Sequence, residues 1–305
     1  MTVIVFGSIN MDLVARSPRL PMPGETIIGH QFETIPGGKG ANQAVAVARL
    51  GIPTQMVGRV GGDSFGHELI AKLHESGVGC DRIVIDSETT SGIAVIEVDD
   101  RGENHIVIIS GANSRVDATD IERLRAILPG AHALMLQLEI PLASVIVAAH
   151  AAHDAGVPVI LDPAPARANL PLDLYPLIDI LTPNQIEASQ LVGFPVDHQD
   201  TATQAAHILR DRGVGTVIVK LGRAGALCVT GDDTFHVPAF VVNAVDTVAA
   251  GDAFNGGLAA ALATGRSLRD AVAQACAVGA LSVTKFGAQP SMPSQAELNA
   301  FLRQH

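Results

Sequence analysis

Aromatic residues and cysteines are scarce in this chain of 305 residues. Tryptophan is absent, Tyr175 is the single tyrosine, and only 3% of the residues are aromatic, which disfavours a slot for a nucleoside base. The three cysteines, Cys80, Cys228 and Cys276, lie far apart and form no CxxC pair. This spacing predicts reduced thiols and a cytoplasmic protein.

Basic residues are also few: the chain has 20 Lys and Arg against 31 Asp and Glu, so its net charge is −11. No basic stripe could meet a phosphate backbone, so nucleic-acid binding is excluded, although a nucleotide needs only local N–H groups and one or two cations. No apolar run reaches membrane-spanning length. The N-terminal MTVIVFGSINMD lacks a basic flank, so we expect a first strand there and not a signal peptide.

Two common nucleotide-binding fingerprints are missing. No G-x-G-x-x-G occurs, and PGGKGANQAV (36–45) fails the P-loop pattern because Lys39 is followed by Gly40. This glycine-rich turn still places Lys39 and Asn42 at a helix start, where they could bind a hydroxyl-rich ligand. A tight strand-to-helix turn without a ligand is the alternative.

Apolar runs alternate with segments of helical spacing along the chain, which predicts an α/β fold with a parallel sheet covered by helices. The predicted strands are 3–7, 54–60, 133–138, 157–162, 179–183 and 216–222. The predicted helices lie within 40–51, 63–77, 117–128, 141–156, 201–213, 267–287 and 294–304. Segments 13–35 and 91–110 break this rhythm and predict either a small separate sheet or a surface hairpin.

The stretch DTVAAGDAFNGG (246–257) is almost free of bulky side chains and precedes a helix with small packing residues. Small residues allow close approach to the backbone, and the free N–H groups of a helix N-terminus favour an anion. Asp252 lies near that N-terminus. A bound anion and the Asp252 carboxylate would repel each other unless the carboxylate has a chemical role. We therefore predict that the anion is a phosphate group and that Asp252 takes a proton from the group that attacks it.

Three further motifs carry polar side chains at positions that suit a ligand. Asn10 and Asp12 in GSINMD are predicted to end the first strand facing the same way, unless they form a turn or a cap. Glu139 follows a strand in the same manner. Asn184 and Glu187 share a helical face that could hold Mg²⁺ through water, or they form a capping box.

Taken together and in order, these motifs resemble the ribokinase-like (PfkB) family of carbohydrate kinases over nearly the whole chain. They are GSINMD, PGGKGANQAV, SGANSRV, LMLQLEIPL, LDPAPAR, LTPNQIEA, VKLGRAG, VDTVAAGDAFNGGL and GAQPSMP. The resemblance implies a Rossmann-like three-layer α/β/α sandwich with a small β-sheet lid. It assigns 1–12, 36–90 and 111–305 to the core and 13–35 and 91–110 to the lid, through which such chains pair as homodimers.

The resemblance also implies individual roles. Asp252 is expected to be the catalytic base, and the backbone N–H groups of Ala249, Ala250, Gly251 and Asp252 to form an anion hole. The expected sugar contacts are Asn10, Asp12, Gly38, Lys39, Asn42, Glu139 and Asp252. The expected ATP contacts are Asn184, Lys220, Gly222, Gly225, Gly251 and Cys276.

Two cations are implied as well. Asn184 and Glu187 are expected to organise Mg²⁺. A K⁺ ion is expected at Asp246, Val248, Ser282, Lys285, Gly287 and Ser291, although Asp246 could instead simply accept backbone N–H bonds. Lys220 and Cys276 depart from the family pattern, in which a small hydroxyl residue and a polar residue are usual, and this puts the nucleotide contacts in question.

The implied reaction is ATP-dependent phosphorylation of D-ribose at its 5-hydroxyl. Another pentose, fructose or a nucleoside is the alternative substrate within the fold. A non-catalytic sugar-binding protein is the alternative of a different class, which the intact AAGD sequence (249–252) disfavours.

Overall fold

The computed structural model describes the whole chain, residues 1–305, as two β-sheets and nine helices. The strands are β1 (Val3–Phe6), β2 (Asn10–Ser17), β3 (Gln31–Gly37), β4 (Thr54–Gly61), β5 (Val78–Asp86), β6 (Gly92–Asp99), β7 (Asn104–Ile109), β8 (Ala133–Leu136), β9 (Val159–Leu161), β10 (Ile180–Leu181), β11 (Thr216–Lys220), β12 (Ala226–Val229) and β13 (Thr234–Val237). The helices are α1 (Lys39–Arg49), α2 (Ser64–Glu75), α3 (Ala118–Arg125), α4 (Leu142–Asp154), α5 (Gln185–Val192), α6 (Gln199–Asp211), α7 (Ala250–Ala263), α8 (Leu268–Ser282) and α9 (Gln295–Leu302). No helix combines the length and the apolarity needed to cross a membrane.

The large sheet has nine strands in the order β13-β12-β11-β10-β9-β8-β1-β4-β5. Its strands run parallel except β12 and β13, which pair antiparallel with their neighbours. Strand β1 shows why both faces must be covered: Ile4 and Phe6 pack among α3 to α6, whereas Val3 and Val5 pack among α1, α2 and α7 to α9. A strand that is apolar on both faces is typical of a buried parallel sheet. The predicted three-layer α/β/α sandwich is therefore confirmed.

The small sheet has four strands in the order β3-β2-β6-β7. It contains the two segments that break the α/β rhythm of the sequence, and the turn between β6 and β7 lies at Asp100–Glu103, inside DDRGEN. Its edge strand β7 is exposed at all six residues. The interpretation of 13–35 and 91–110 as a second sheet thus agrees with the structure.

Three details of the strand prediction were wrong, and the first is that the edge strand β13 (Thr234–Val237) was not predicted. Asn10 and Asp12 do not end the first strand, because the chain leaves the large sheet after Phe6 and enters the small sheet at Asn10. They still point the same way, as alternate residues of β2. Strand β5 was missed because it is an edge strand whose apolar residues are interrupted by Asp81 and Arg82.

The order of the parallel strands gathers five loops at one edge of the large sheet. The segments that follow β1, β8, β9, β10 and β11 all leave from the carboxyl ends of neighbouring strands. In open α/β sheets ligands bind at this edge. The residues singled out in the sequence lie mostly in these loops and at the starts of the helices that follow.

Candidate active site

Small residues in and around the first turn of α7 allow other groups to approach its backbone closely. Ala249, which precedes the helix, has a φ of 59°, the one non-glycine residue in the left-handed region. Gly256 lets α7 press against α1, since a Cβ there would lie 2.3 Å from the Ala46 Cβ atom. Gly257 likewise lets α7 pack closely against α8, since a Cβ there would lie 2.9 Å from the Val278 Cβ atom. The small residues of DTVAAGDAFNGG therefore both free the helix N-terminus and anchor the helix in the core.

Asp252 lies in that first turn and is only 4% exposed. Its Oδ2 atom accepts a hydrogen bond from Asn42 Nδ2 at 2.9 Å, and its Oδ1 atom accepts one from Gln43 Nε2 at 3.0 Å. Burial raises the pKa of Asp252 to about 6, against the lowering effect of the Lys39 ammonium. A carboxylate with this pKa is ionised at neutral pH and can accept a proton.

Lys39 supplies positive charge beside this carboxylate from the first position of α1. Burial lowers the Lys39 pKa, but the carboxylates of Asp252, Asp162 and Glu139 outweigh burial, so the pKa lies above its usual value. Glu139 is fixed by hydrogen bonds from Ser8 Oγ (2.5 Å) and the Lys39 backbone N–H (3.1 Å). The ammonium is therefore permanently charged within a ring of carboxylates.

Asn10 and Asp12 reach this ring from the small sheet. Burial raises the pKa of Asp12 to about 7, and the charges of Glu139 and Asp252 add to the rise. Asn10 Oδ1 accepts a hydrogen bond of 2.7 Å from Asn113 Nδ2. Asn113 had no predicted role, although it lies in the quoted SGANSRV motif. Side chains from both sheets thus converge on one polar site.

Gly38 lies between β3 and α1, where the backbone passes very close to β2. Its φ is 87°, and a Cβ there would lie 2.7 Å from the Asn10 backbone nitrogen. Only glycine fits such a position without displacing the backbone. The glycine-rich turn is therefore required by the approach of β2 to α1.

Asn184 and Glu187 form the capping box that was the alternative to a metal pair. Asn184 Oδ1 accepts from the Glu187 N–H at 2.8 Å, and Glu187 Oε2 accepts from the Asn184 N–H at 2.7 Å. Burial raises the pKa of Glu187, while Lys220 lowers it. No group of three or more His, Cys, Asp or Glu side chains is arranged to hold a metal ion. A Mg²⁺ ion here would depend on phosphate oxygens and water for its remaining ligands.

A cleft of about 840 Å³ runs from this capping box to the start of α7. It brings together residues predicted to bind the nucleotide or to act on the phosphate: Lys39, Asn184, Glu187, Lys220, Gly222, Gly225, Ala249, Ala250, Gly251, Asp252 and Cys276. Its volume suits a ligand of nucleotide size. Asn10, Asp12, Asn42 and Glu139 do not line it and lie beyond Lys39 and Asp252.

Lys220 forms an ion pair in this cleft that was not predicted from the sequence. Its Nζ atom donates a hydrogen bond of 2.8 Å to Asp162 Oδ1, in a pair that is almost buried. A Cβ at Gly251 would lie 3.3 Å from the same Nζ atom. The ammonium therefore lies beside the N-terminus of α7, and Asp162, which had no predicted role, holds it there.

The loop around Asp246 shows the backbone bonds that were the alternative to a cation. Asp246 is half-buried; its Oδ1 atom accepts from the Val248 N–H and its Oδ2 atom from the Gly287 N–H, both at 3.0 Å. No lysine or arginine pairs with it, since Lys285 is paired with Glu297. Asp246 thus ties the loop before α7 to the loop after α8 through two backbone N–H bonds, with no side-chain cation beside it.

Comparison with known proteins supports one family. The profile of the pfkB family of carbohydrate kinases matches residues 2–295. The chain is 40% identical to a ribokinase of Haemophilus influenzae over 99% of its own length and 98% of that protein. It is 39% identical to a deoxyribokinase of Salmonella typhi, with 99% of both chains covered. A structure of Arabidopsis thaliana ribokinase complexed with ribose and ATP superposes with a TM-score of 0.91 at 35% identity, covering 99% of this chain and 98% of that one. This chain belongs to the PfkB family of carbohydrate kinases.

Proposed function

We propose that this enzyme transfers the γ-phosphoryl group of ATP to the 5-hydroxyl of D-ribose. The observation that carries the proposal is the buried Asp252 carboxylate, which lies at a helix N-terminus between a nucleotide-sized cleft and a cluster of buried polar side chains. Relatives named ribokinase, one of them solved with ribose and ATP, support the choice of sugar.

In the proposed mechanism Asp252 accepts the proton of the 5-hydroxyl as the oxygen attacks the phosphoryl group. The backbone N–H groups of Ala249, Ala250, Gly251 and Asp252 would donate to the charge that develops on the transferring group, that of Ala250 in exchange for its 3.3 Å bond to the Thr247 carbonyl. Lys39 keeps Asp252 ionised before the transfer, because its ammonium lowers the pKa of a carboxylate that burial would otherwise protonate. Mg²⁺ near Asn184 and Glu187 would neutralise phosphate charge when bound.

The sugar would be held by Asn10, Asp12, Gly38, Lys39, Asn42 and Glu139. One detail favours a hydroxyl-rich ligand here: Asn42 Oδ1 is buried and has no hydrogen-bond partner. A buried acceptor without a partner is costly, and a sugar hydroxyl could satisfy it. We propose that the small sheet forms a lid over these side chains and that the rest of the chain forms the catalytic core. The lid then begins at Asn10 and its first segment ends at Gly37, so both boundaries lie slightly inside the segments 1–12 and 36–90 that the resemblance assigns to the core.

The nucleotide would lie along Asn184, Lys220, Gly222, Gly225 and Gly251, with Cys276 in the cleft wall. Burial raises the pKa of the Cys276 thiol to about 12, so it would contact the nucleotide as a neutral group. Lys220 would bring a cation to the phosphate end of the cleft. Both departures from the family pattern are therefore compatible with ATP.

We also propose a K⁺ site at Asp246, with the carbonyls of Val248, Ser282, Lys285 and Gly287 and with Ser291. The support is chemical: Asp246 bears a charge that no side-chain cation neutralises, and each of its oxygens keeps a lone pair beyond its one backbone bond. All three cysteines are free thiols, which supports a cytoplasmic location.

The substrate is tested by ATP consumption with ribose, 2-deoxyribose, fructose and adenosine. We expect kcat/KM to be highest for ribose and at least about fivefold lower for 2-deoxyribose, because a missing hydroxyl leaves buried polar groups without a partner. Adenosine should be poorer still, since its glycosylated anomeric carbon would meet Lys39 and Glu139.

The other outcomes of this substrate panel would each indicate a different activity. Equal or better use of 2-deoxyribose would indicate a deoxyribokinase, the second candidate function, which the 39% identity to a deoxyribokinase of Salmonella typhi favours. Comparable efficiency on adenosine would assign a nucleoside kinase. Sugar binding without ATP consumption would leave the non-catalytic alternative.

We propose that the enzyme is a homodimer joined through the small sheet. Four consecutive apolar residues of the edge strand β7, Ile106 to Ile109, are 42–60% exposed, and Phe32 of β3 is 65% exposed. An unpaired, exposed apolar edge strand is normally covered by a partner, and a second copy offers the same surface.

Light scattering of the intact protein should therefore give about twice the chain mass of 31.6 kDa. Val107→Asp should shift the mass to that of a single chain, because a buried carboxylate at the interface lacks a partner. Leu172→Asp is the matched control, since Leu172 is also exposed, at 73%, but lies outside the small sheet. A single-chain mass for the unaltered protein at micromolar concentration would contradict the dimer.

A further inference from the structure

Gln43 lies between two acidic side chains that the proposed mechanism treats separately. It is 1% exposed, and its Nε2 atom donates to Asp252 Oδ1 and to Asp162 Oδ2, both at 3.0 Å. An amide nitrogen carries two hydrogens, so it can serve both carboxylates at once. Its Oε1 atom accepts a hydrogen bond of 2.8 Å from Gln137 Nε2, which fixes the orientation of the amide.

The neighbouring residue Asn42 completes the arrangement. Asn42 donates to the other oxygen of Asp252, so two consecutive residues of α1 each hold one oxygen of the same carboxylate. The plane of the carboxylate is then set by α1, although Asp252 itself belongs to α7. Gly256 maintains the distance between these two helices, as the close approach to Ala46 shows.

Gln43 does not line the cleft. It holds Asp162, which in turn holds Lys220, so the chain of contacts continues from the carboxylate of Asp252 to the ammonium beside the N-terminus of α7. Four side chains from four separate segments are thereby connected without a gap. A buried network of this kind restricts the motion of each member.

We propose that Gln43 is a positioning residue of the kinase reaction: it orients the Asp252 carboxylate and connects it to the Asp162–Lys220 ion pair. The proposal rests on the proposed role of Asp252 as the base. Its effect falls on the transfer step because a catalytic group that is slightly misplaced loses rate, whereas the sugar contacts of Asn10, Asp12 and Asn42 stay in place.

The pH dependence gives this role a distinct signature. The charged groups that face Asp252 are Lys39 of α1, Asp162 after β9, Asp12 of β2 and Lys220 at the end of β11. The hydrogen bond from Gln43 lowers the Asp252 pKa because it stabilises the ionised form. Its loss should raise that pKa, so that a higher pH is needed before the base is ionised.

The experiment compares Gln43→Met with Gln137→Met. Both variants remove one amide of the same buried chain, but only the first removes hydrogen bonds to the two carboxylates. For Gln43→Met we expect kcat to fall about tenfold with KM for ribose within about threefold, and the acidic limb of kcat/KM to move to higher pH. For Gln137→Met we expect a smaller fall in kcat, about twofold, and an acidic limb at the pH of the unaltered enzyme, because both carboxylate bonds of Gln43 remain and only the bond to its Oε1 atom is lost.

Stability is measured beside the kinetics, since both variants leave a buried polar group without a partner. Should Gln43→Met fail to fold, the double variant Gln43→Met/Gln137→Met removes the orphaned Gln137 amide, and a ribose-induced rise in Tm shows that its sugar pocket is intact. A folded Gln43 variant with an unchanged kcat and an unchanged acidic limb overturns the positioning role. If instead the unaltered enzyme phosphorylates none of the four substrates, the proposed function itself fails, and the two failures are thereby distinguished.

Discussion

Asp252→Asn is expected to lower kcat by roughly 10²–10⁴-fold while ribose binding is largely kept. Asparagine preserves the shape of the side chain and its contact with Asn42 but cannot accept the hydroxyl proton. The loss should therefore appear in kcat and not in KM. Steady-state kinetics with ribose, together with the ribose-induced shift in Tm, separate these two quantities.

The unaltered enzyme should also show an acidic limb in kcat/KM. Because burial raises the pKa of Asp252 to about 6, the base is ionised above that pH and protonated below it, so activity should fall as the pH drops through about 6. Asp200→Asn is the matched control, since Asp200 also lies in the first turn of a helix but is exposed. Near-normal turnover in Asp252→Asn would remove this residue from the role of base.

Replacing K⁺ by a bulky organic cation is expected to lower the initial rate about tenfold, because a shift of the loop that carries the anion hole misplaces its N–H groups. Asp246 connects this loop to Gly287, and Ala249, which immediately precedes α7, follows Asp246 by only three residues. Na⁺ should be less effective than K⁺. In Asp246→Ala the gain from K⁺ should vanish.

The measurement is the initial rate at matched ionic strength in each cation. Equal rates with and without K⁺ would leave Asp246 as a purely structural link that accepts two backbone N–H bonds. A K⁺ effect that persists in Asp246→Ala would place the responsible cation elsewhere. Either result would remove the proposed ring of carbonyls from the account of activity.

Much of the fold could be predicted because local sequence patterns specify many of its strands and turns. Strands such as Val3–Phe6 are uniformly apolar, and the turn at Asp100–Glu103 separates two recognisable β runs. Strand Val78–Asp86 was missed since its identity depends on pairing with β4 and not on its own alternation. The boundary at Asn10 was misplaced for a similar reason: which sheet a strand joins depends on its partners.

The candidate site was predictable only where a motif carries its own chemistry. Asp252 stands out because a carboxylate is unusual among small residues at a helix start. Gln43 and Asp162 do not stand out, because their significance arises from contacts across 209 and 119 positions of the chain. For Asn184 and Glu187 the sequence left two interpretations open, and the structure shows the capping bonds while a metal role stays a proposal.

The chain passes between the two sheets four times, after β1, β3, β5 and β7. Asn10 and Asp12 belong to β2 of the small sheet, whereas Asp252 belongs to α7, which packs on the large sheet. A sugar held by the proposed contacts would therefore bridge the two sheets, and its 5-hydroxyl would meet Asp252 at only one separation of these sheets. A crosslink or an applied force that changes this separation would alter the rate without touching a single catalytic side chain.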